Sequence, residues 1–262
     1  MKRFLWLPFV WMAVLAPSSR AAEAFDHTHA RFARVLTNVV HEARVDYAAL
    51  KAAPAELDAY LGELAAVPAA EFAQWPEPQR LALLINLYNA HTLRLIVNNF
   101  PLKSIRNIGV LPGAAWRELI VRFGGQILTL DHLENQILRP SYHEPRIHFA
   151  LVCAALGCPP LRNEPFVAAR LNEQLDDQAR RFMAESNKNR FDPAPNTLYL
   201  SPIFKWYAGD FESASGTVAA YVTPFLPDAQ QAALKDPANV KVRYTDYDWK
   251  LNVVGSSPAA PR

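Results

Sequence analysis

Hydrophobic positions recur along most of this chain with the period of a helix. The strongest pattern covers EPQRLALLINLYNAHTLRLIVNNF, residues 77–100, where apolar side chains keep helical spacing and extend almost all round the helix. This pattern predicts a central, buried helix that ends before Pro101. Asn86 and Asn89 would then lie in or near the core, where each side-chain amide needs hydrogen-bond partners.

Shorter amphipathic helices are predicted on both sides of this central helix. Asp131 is expected to cap one of them, DHLENQILR, which stops at Arg139-Pro140. Another helix is entered through Pro165 and covers residues 166–186. The other predicted helices lie at 26–42, 54–65, 68–75, 203–211, 217–225 and 229–235.

Strand patterns are concentrated in the middle of the chain. Residues 116–123 and 126–130 are predicted to form a hairpin through the two-residue turn Gly124-Gly125. Residues 147–153 are too apolar for a half-exposed strand, so they are predicted to lie inside a sheet. Shorter extended pieces are predicted at 45–47, 197–200 and 240–245.

The order of these elements predicts the fold class. Helices come first, a hairpin and strands follow, and more helices end the chain, without regular alternation. This order is typical of an α+β protein, here a single domain over residues 25–254, largely helical with a small central antiparallel sheet. With 262 residues, 51% of them hydrophobic, the chain is long enough to bury one sizeable core. A flexible tail is expected over residues 255–262.

The first 24 residues have the pattern of a signal peptide. Lys2 and Arg3 form a positive amino-terminal region, an apolar stretch covers residues 4–16, and small residues follow at the expected cleavage point. Pro8 interrupts the apolar stretch, which is also short for a membrane span, so an uncleaved anchor is the weaker alternative. The mature protein is therefore expected in the periplasm or outside the cell, without a stable membrane span.

The charge pattern argues against nucleic acid as a partner. Removal of residues 1–24 takes away three basic residues and one acidic residue, which leaves the two kinds equal in number. Basic residues do not cluster into a stripe with interleaved aromatic residues. The slightly basic isoelectric point of the whole chain therefore carries no functional information.

Candidate chemistry lies in RIHFALVCAALGCPPLR, residues 146–162, which holds both cysteines. On a regular strand His148 and Cys153 would face opposite sides, whereas the loop 154–157 can bring Cys158 back toward His148. This predicts Cys158 as a nucleophile and His148 as its base, with Glu134 orienting the imidazole. Cys153 is interpreted as a core residue of the strand.

Two other interpretations of these residues stay open. Outside the cytoplasm, Cys153 and Cys158 can pair in a disulfide that closes a small loop. His132 and Glu134, with the two cysteines, loosely match the ligand pattern of zinc deaminases, but four residues separate the cysteines and no second ligand pair follows. We therefore expect no metal, and the absence of a P-loop or dinucleotide motif gives no reason to expect another cofactor. The polar and aromatic residues of 244–249 are interpreted as packing.

Four motifs in this order resemble the family called domain of unknown function 547, which occurs in exported bacterial proteins and in plant proteins. They are INLYNAHTL (85–93), LTLDHLENQILR (128–139), RIHFALVCAALGCPPLR (146–162) and YDWKLN (247–252).

The resemblance implies a site without a settled activity. It points to Asn86, Asn89, Glu134 and His148, together with the cysteines, in an arrangement similar to those of papain and transglutaminase. Because family members can carry serine at the position of Cys158, the resemblance also argues against an obligatory disulfide.

The sequence supports two candidate functions. The first is a thiol-dependent hydrolase or acyl transferase that acts on a peptide or amide, such as a small γ-glutamyl thiol peptide, with Asn86, Asn89 and Cys153 supporting the site. The alternative is a non-catalytic binding or scaffold module of the cell envelope that uses the same cleft. A small peptide or thiol is the expected ligand in either case.

Overall fold

The computed structural model describes residues 24–256. The predicted signal peptide, except for Ala24, and residues 257–262 of the predicted tail lie outside this range. The helices are α1 (Ala30–Val39), α2 (Tyr47–Ala52), α3 (Ala55–Ala66), α4 (Ala69–Phe72), α5 (Glu77–Asn99), α6 (Leu130–His132), α7 (Arg139–Tyr142), α8 (Ile147–Ala150), α9 (Leu171–Met183), α10 (Ile203–Trp206), α11 (Ala208–Ser215), α12 (Val218–Val222) and α13 (Asp228–Ala233). The strands are β1 (Val40–His41), β2 (Arg44–Val45), β3 (Val121–Phe123), β4 (Gln126–Leu128), β5 (Arg190–Asp192), β6 (Thr197–Leu200) and β7 (Lys241–Tyr244).

The long helix α5 is the centre of the main core, as its pattern predicts. Every residue from 81 to 93 on it is buried, because other elements pack against it on all sides. Each fully buried Leu or Ile in this stretch contributes about 1.5–3 kcal/mol relative to exposure. Pro78 lies in the first turn, where its missing N–H costs no hydrogen bond, and the helix ends one residue before Phe100.

A second, aromatic core is built around Phe149. Its ring packs against Phe182, Phe204 and Phe211, with ring centroids 5.6–5.8 Å apart. The short helix α8 joins the two cores, since Ile147 is buried in the first core and Phe149 in the second. Residues adjacent to Phe149 are therefore fixed from both sides.

The fold is α+β as predicted, but the strands form three small sheets rather than one central sheet. β1 pairs with β2, and β3 pairs with β4 through the predicted Gly124-Gly125 turn, where both glycines have positive φ. β5, β6 and β7 form a mixed sheet in which β6 is antiparallel to β5 and parallel to β7. Within residues 24–256, strands do not assemble into the predicted central antiparallel sheet.

The predicted buried strand at 147–153 is wrong. Residues 147–150 form the helical turn α8, and residues 151–153 follow as irregular chain. A short apolar run does not distinguish a buried strand from another buried segment by its periodicity. Outside a sheet, the backbone groups of this run need other hydrogen-bond partners.

Buried side-chain amides are those partners at both ends of residues 149–167, which we call the site segment. Asn89 donates to the carbonyl oxygen of Ala150 and accepts from the N–H of Val152, both at 2.9 Å. Asn86 makes the same pair of bonds to the carbonyl oxygen (2.7 Å) and N–H (3.0 Å) of Phe166. The predicted need of both asparagines for partners is thus met by irregular backbone.

Two glutamines on α9 complete this set of amides. Gln178 donates to the carbonyl oxygens of Phe149 and Pro160, at 2.9 and 2.6 Å. Gln174 donates to the carbonyl oxygen of Pro165 and accepts from the N–H of Val167, which continues the site segment. Gln174 and Gln178 are each only 1% exposed, so both amides are removed from water.

The carboxyl-terminal strip, residues 247–254, pairs with the loop between the cysteines. Leu156 and Gly157 donate backbone hydrogen bonds to the carbonyl oxygens of Lys250 and Asp248, and Asn252 donates to that of Ala154. This pairing brings the YDWKLN motif next to the cysteines. A side chain at Gly157 would lie 2.9 Å from the Tyr247 ring, so this close approach requires glycine.

The helix after the hairpin differs from its prediction at both ends. Thr129, rather than Asp131, caps α6 by accepting a hydrogen bond from the N–H of His132. Helical structure then continues as a π-helical turn over Leu133–Leu138 and as α7, which ends at Tyr142 rather than at Arg139. A π-helical turn shifts the positions of the side chains that follow, and Glu134 lies on it.

Replacement of Asn89 by alanine tests the amide contacts. Asn89→Ala leaves the Ala150 carbonyl and the Val152 N–H buried without partners, so the free energy of unfolding is expected to fall by about 2–4 kcal/mol. Asn98→Ala, at an exposed position of the same helix, is the matched control and should change it by less than about 0.5 kcal/mol. Urea unfolding of both variants measures the difference, and equal effects would contradict the structural role of Asn89.

Candidate functional site

A cavity of about 290 Å³ lies where the site segment meets the carboxyl-terminal strip and α10. Its walls combine aromatic rings with a few polar and charged side chains. Four of the six predicted site residues line it: Glu134, His148, Cys153 and Cys158. Asn86 and Asn89 lie behind it, where they hold the site segment. The other lining residues include Tyr88, Trp116, Arg117, Asp131, Asn135, Trp206, Tyr207, Tyr247 and Trp249.

Cys153 and Cys158 are joined by a disulfide, and the described residues contain no free cysteine. The bond closes a loop of four residues, 154–157, which the carboxyl-terminal strip covers. The sequence predicted Cys153 as the buried core residue and Cys158 as the reactive thiol. The observed burial is the reverse, because Cys158 is 3% exposed and Cys153 is partly exposed. In this oxidised form neither sulfur is a nucleophile, so the predicted role of Cys158 requires reduction.

Two donors point at the sulfur of Cys158. The backbone N–H of Cys153 lies 3.0 Å from Cys158 Sγ, and the Tyr247 hydroxyl donates to the same sulfur at 3.1 Å. The Tyr247 oxygen is also 3.2 Å from Cys153 Sγ. Burial raises the pKa of Tyr247 well above its ordinary value, which keeps the hydroxyl protonated as a donor. Tyr247, interpreted from the sequence as packing, is therefore a site residue.

His148 lies on α8 with its ring almost fully buried. Its Nε2 is 2.8 Å from Oδ2 of Asp210, and its ring stacks on Tyr207 with centroids 3.8 Å apart. Its Nδ1 is buried without a hydrogen-bond partner. An ionised carboxylate only accepts hydrogen bonds, so Nε2 carries the proton toward Asp210. In the neutral ring, Nδ1 then holds the lone pair that a general base needs.

Asp210, on α11, is held in its charged form by two partners. The hydrogen bond from His148 and that from Arg139 lower the pKa of this carboxyl well below its usual range. The guanidinium of Arg139 contacts both carboxylate oxygens, at 2.7 and 2.8 Å. The sequence prediction missed Asp210, which is 62 residues from His148 and stands in a helix without a recognisable motif.

Glu134 does not contact His148 as predicted. Its Oε1 accepts a 2.6 Å hydrogen bond from the hydroxyl of Tyr207, the residue whose ring stacks on His148. Burial, followed by the charge of Glu134, raises the pKa of Tyr207 well above its ordinary value. The acid that contacts the imidazole is therefore Asp210, whereas Glu134 contacts Tyr207.

A metal centre has no support from the described residues. Between residues 24 and 256, no group of three or more His, Cys, Asp or Glu side chains is arranged to hold an ion. His132, which matched the deaminase pattern, is exposed and does not line the cavity. In the same range no helix combines the length and apolarity that a membrane span requires.

Fold and site define an α+β protein with a cysteine pair, a histidine–aspartate pair and a buried glutamate around one aromatic cavity. Residues 72–183 match the family described as protein of unknown function, DUF547, which confirms over that segment the resemblance carried by the motifs. The match includes Glu134, His148 and both cysteines, whereas Tyr247 and Asp210 lie beyond it. No curated protein and no solved structure was found to match the chain significantly.

The low pKa of Asp210 predicts a pH-dependent contribution to stability. A depressed folded-state pKa stabilises the fold above the ordinary aspartate pKa of about 4, and this stabilisation is lost as the pH falls through the folded value. Asp210→Asn is expected to lower the free energy of unfolding at pH 7 by about 1–2 kcal/mol, allowing for screening of the partly exposed carboxylate. The difference from the wild type should shrink below about pH 4.

Urea unfolding at several pH values between 2 and 7 tests this expectation. Glu212→Gln, an exposed position on the same helix, is the control and should show no such pH-dependent difference. A deficit of Asp210→Asn that stays constant or grows in acid would contradict the account of Asp210 as a charged partner of His148.

Proposed function

We propose that the cavity is the active site of a thiol-dependent hydrolase or acyl transferase that acts on a peptide or amide. In the reduced protein Cys158 is the nucleophile, His148 is the base, and Asp210 fixes the orientation of the imidazole. One observation carries the proposal: both sulfurs line the same cavity as a histidine whose Nε2 is held by a carboxylate and whose Nδ1 has no partner.

The reaction follows from these positions. Nδ1 of His148 removes the proton of the Cys158 thiol, and the thiolate attacks the carbonyl carbon of the amide. The carbon–nitrogen bond then breaks, and the amine leaves with the proton from His148. A thioester remains on Cys158, and either water hydrolyses it or an amine takes the acyl group. Asp210 stays ionised throughout and stabilises the imidazolium.

Cys158 is preferred over Cys153 because of the hydrogen bonds to its sulfur. Both the Tyr247 hydroxyl and the Cys153 N–H donate to Cys158 Sγ, and hydrogen bonds to the ionised form favour a thiolate. The ammonium of Lys188 also contacts the backbone oxygen of Cys158 at 2.6 Å, although Glu185 pairs with it at 2.7 Å. Partial positive charge around a sulfur is the usual means of activating a cysteine.

The cavity walls suggest the kind of substrate. Trp116, Trp206 and Trp249 supply flat apolar surface, and Arg117 and Asp131 supply charges of opposite sign. A short peptide with a free amino group and a free carboxylate, such as a γ-glutamyl thiol peptide, complements such walls. The exported location proposed from residues 1–24 would place the cavity in an oxidising compartment, where the disulfide persists until a reductant reaches it.

Turnover by the reduced protein tests the proposal. With p-nitrophenyl acetate and γ-glutamyl p-nitroanilide as substrates, Cys158→Ser should lose at least about 10³-fold in activity, and His148→Asn about 10²–10⁴-fold. Cys153→Ser cannot form the disulfide, so it should be active without reductant, whereas the wild type should require reductant. Glu212→Gln is the control and should keep wild-type activity.

Equal activity of Cys158→Ser and the wild type on both substrates would exclude a Cys158 nucleophile. So would a folded Cys153→Ser protein that stays inactive under all conditions.

A non-catalytic binding module is the second candidate, and the aromatic walls favour it. In that case glutathione should quench tryptophan fluorescence equally in wild type and Cys158→Ser, and no turnover should appear. Tight binding with turnover in the reduced wild type alone would support the enzyme instead.

A further inference from the structure

The two cysteines of the disulfide differ in exposure, although both line the cavity. Cys153 is partly exposed on the cavity wall, whereas Cys158 is 3% exposed and packs into the main core. Thiol–disulfide exchange depends on which sulfur the incoming thiolate can reach. Access therefore favours attack on Cys153.

The hydrogen bonds favour the same direction of exchange. When an external thiolate bonds to Cys153, the electron pair of the old sulfur–sulfur bond stays on Cys158. The Cys153 N–H donates to that sulfur at 3.0 Å, and the Tyr247 hydroxyl, which lies 3.1 Å from Cys158 Sγ and 3.2 Å from Cys153 Sγ, can donate to it once Cys153 is bonded to the external thiol. A better stabilised leaving thiolate departs faster. The Tyr247 ring packs against those of Trp206 and Trp249, with centroids 4.8 and 4.5 Å away.

The surrounding backbone does not depend on the disulfide. Before the loop, Asn89 holds the chain at Ala150 and Val152. Within the loop, Leu156 and Gly157 are bonded to the carboxyl-terminal strip. A disulfide that closes so short a loop removes less conformational entropy from the unfolded chain than one that closes a long loop. Opening of the bond therefore leaves the walls of the cavity in place.

We infer that the Cys153–Cys158 disulfide is a directional exchange site for a small external thiol, with Cys153 as the sulfur that is attacked. In the first step the external thiolate bonds to Cys153 and the sulfur–sulfur bond breaks, which leaves a thiolate on Cys158. A second external thiolate attacks the first thiol's sulfur in the mixed disulfide and releases Cys153 as a thiolate. The two external thiols are oxidised to one disulfide, and the cysteine pair is reduced by two electrons.

This exchange would also regulate the cavity, since it liberates Cys158. That consequence rests on the proposed function, whereas the exchange itself does not. Failure of the exchange inference and failure of the proposed acyl transfer can be told apart. If only exchange occurs, glutathione reduces the protein, but the reduced protein does not turn over γ-glutamyl p-nitroanilide. If only acyl transfer occurs, the protein becomes active with a phosphine reductant but not with a thiol.

Mapping of the mixed disulfide on the full wild-type chain tests the inference. The protein is incubated with reduced glutathione near neutral pH, quenched with N-ethylmaleimide, and digested for mass spectrometry. Glutathione is expected on Cys153 and maleimide on Cys158, with the fold retained by circular dichroism. Glutathione on Cys158, or no exchange until the protein is unfolded, would overturn the inference.

Two tyrosine variants test the leaving-group argument. Tyr247→Phe removes one donor to Cys158 Sγ and is expected to slow the first exchange step about tenfold. Tyr244→Phe removes a hydroxyl from an exposed position on β7 and is expected to leave the rate within about twofold. Equal rates in the two variants would overturn the assignment of Tyr247.

Cys158→Ser with oxidised glutathione gives a further measurement. The variant should form a mixed disulfide between Cys153 and glutathione in the folded protein, because Cys153 is partly exposed at the cavity. A folded Cys158→Ser protein that forms no adduct on Cys153 would overturn the inference. The wild-type mapping decides the question if this variant does not fold.

Discussion

The site of this protein depends on one requirement: the buried backbone of the site segment must be hydrogen-bonded although it lies in no sheet. Four side-chain amides meet that requirement at both ends of the segment, Asn86 and Asn89 on α5 and Gln174 and Gln178 on α9, and the carboxyl-terminal strip meets it in the loop between the cysteines. Each amide offers both a donor and an acceptor, so it can replace the pairing that a neighbouring strand would supply. Two long helices thereby fix a segment that has little regular structure of its own.

The chemistry is a consequence of that arrangement. His148 directly precedes the site segment, and both cysteines lie a few residues into it, while the side chains that bond them come from other parts of the chain. Asp210 reaches His148 from α11, and Tyr247 reaches the sulfurs from the carboxyl-terminal strip. The resulting site holds an oxidised cysteine pair next to an imidazole that is already oriented. Thiol chemistry therefore begins with reduction of the disulfide, which makes the proposed acyl transfer depend on an external reductant.

Periodic patterns predicted the regular parts of this fold. Helix α5, the Gly124-Gly125 hairpin and β6 were identifiable because local residue order determines them. Residues 147–153 were misread as a strand, since their apolar run carries no period and Asn89, which bonds Ala150 and Val152, lies 61 and 63 positions away. The need of Asn86 and Asn89 for partners was predictable, although the identity of those partners was not.

The candidate site was predictable only in part, for the same reason. Glu134, His148 and the cysteines do share a cavity, but the acid bonded to His148 is Asp210, and Glu134 bonds Tyr207 instead. The relative burial of Cys153 and Cys158 was reversed because the carboxyl-terminal strip covers the loop between them. These contacts join residues far apart in the chain, and no local pattern encodes them.

Hydrogen exchange at the N–H groups of Val152 and Phe166 tests the central claim most directly. Both donate to buried asparagine side chains rather than to a helix or sheet. If the amide contacts fix the site segment, these two groups should exchange as slowly as those in the middle of α5, near the rate set by global unfolding. Exchange within seconds, as in an open surface loop, would contradict the account.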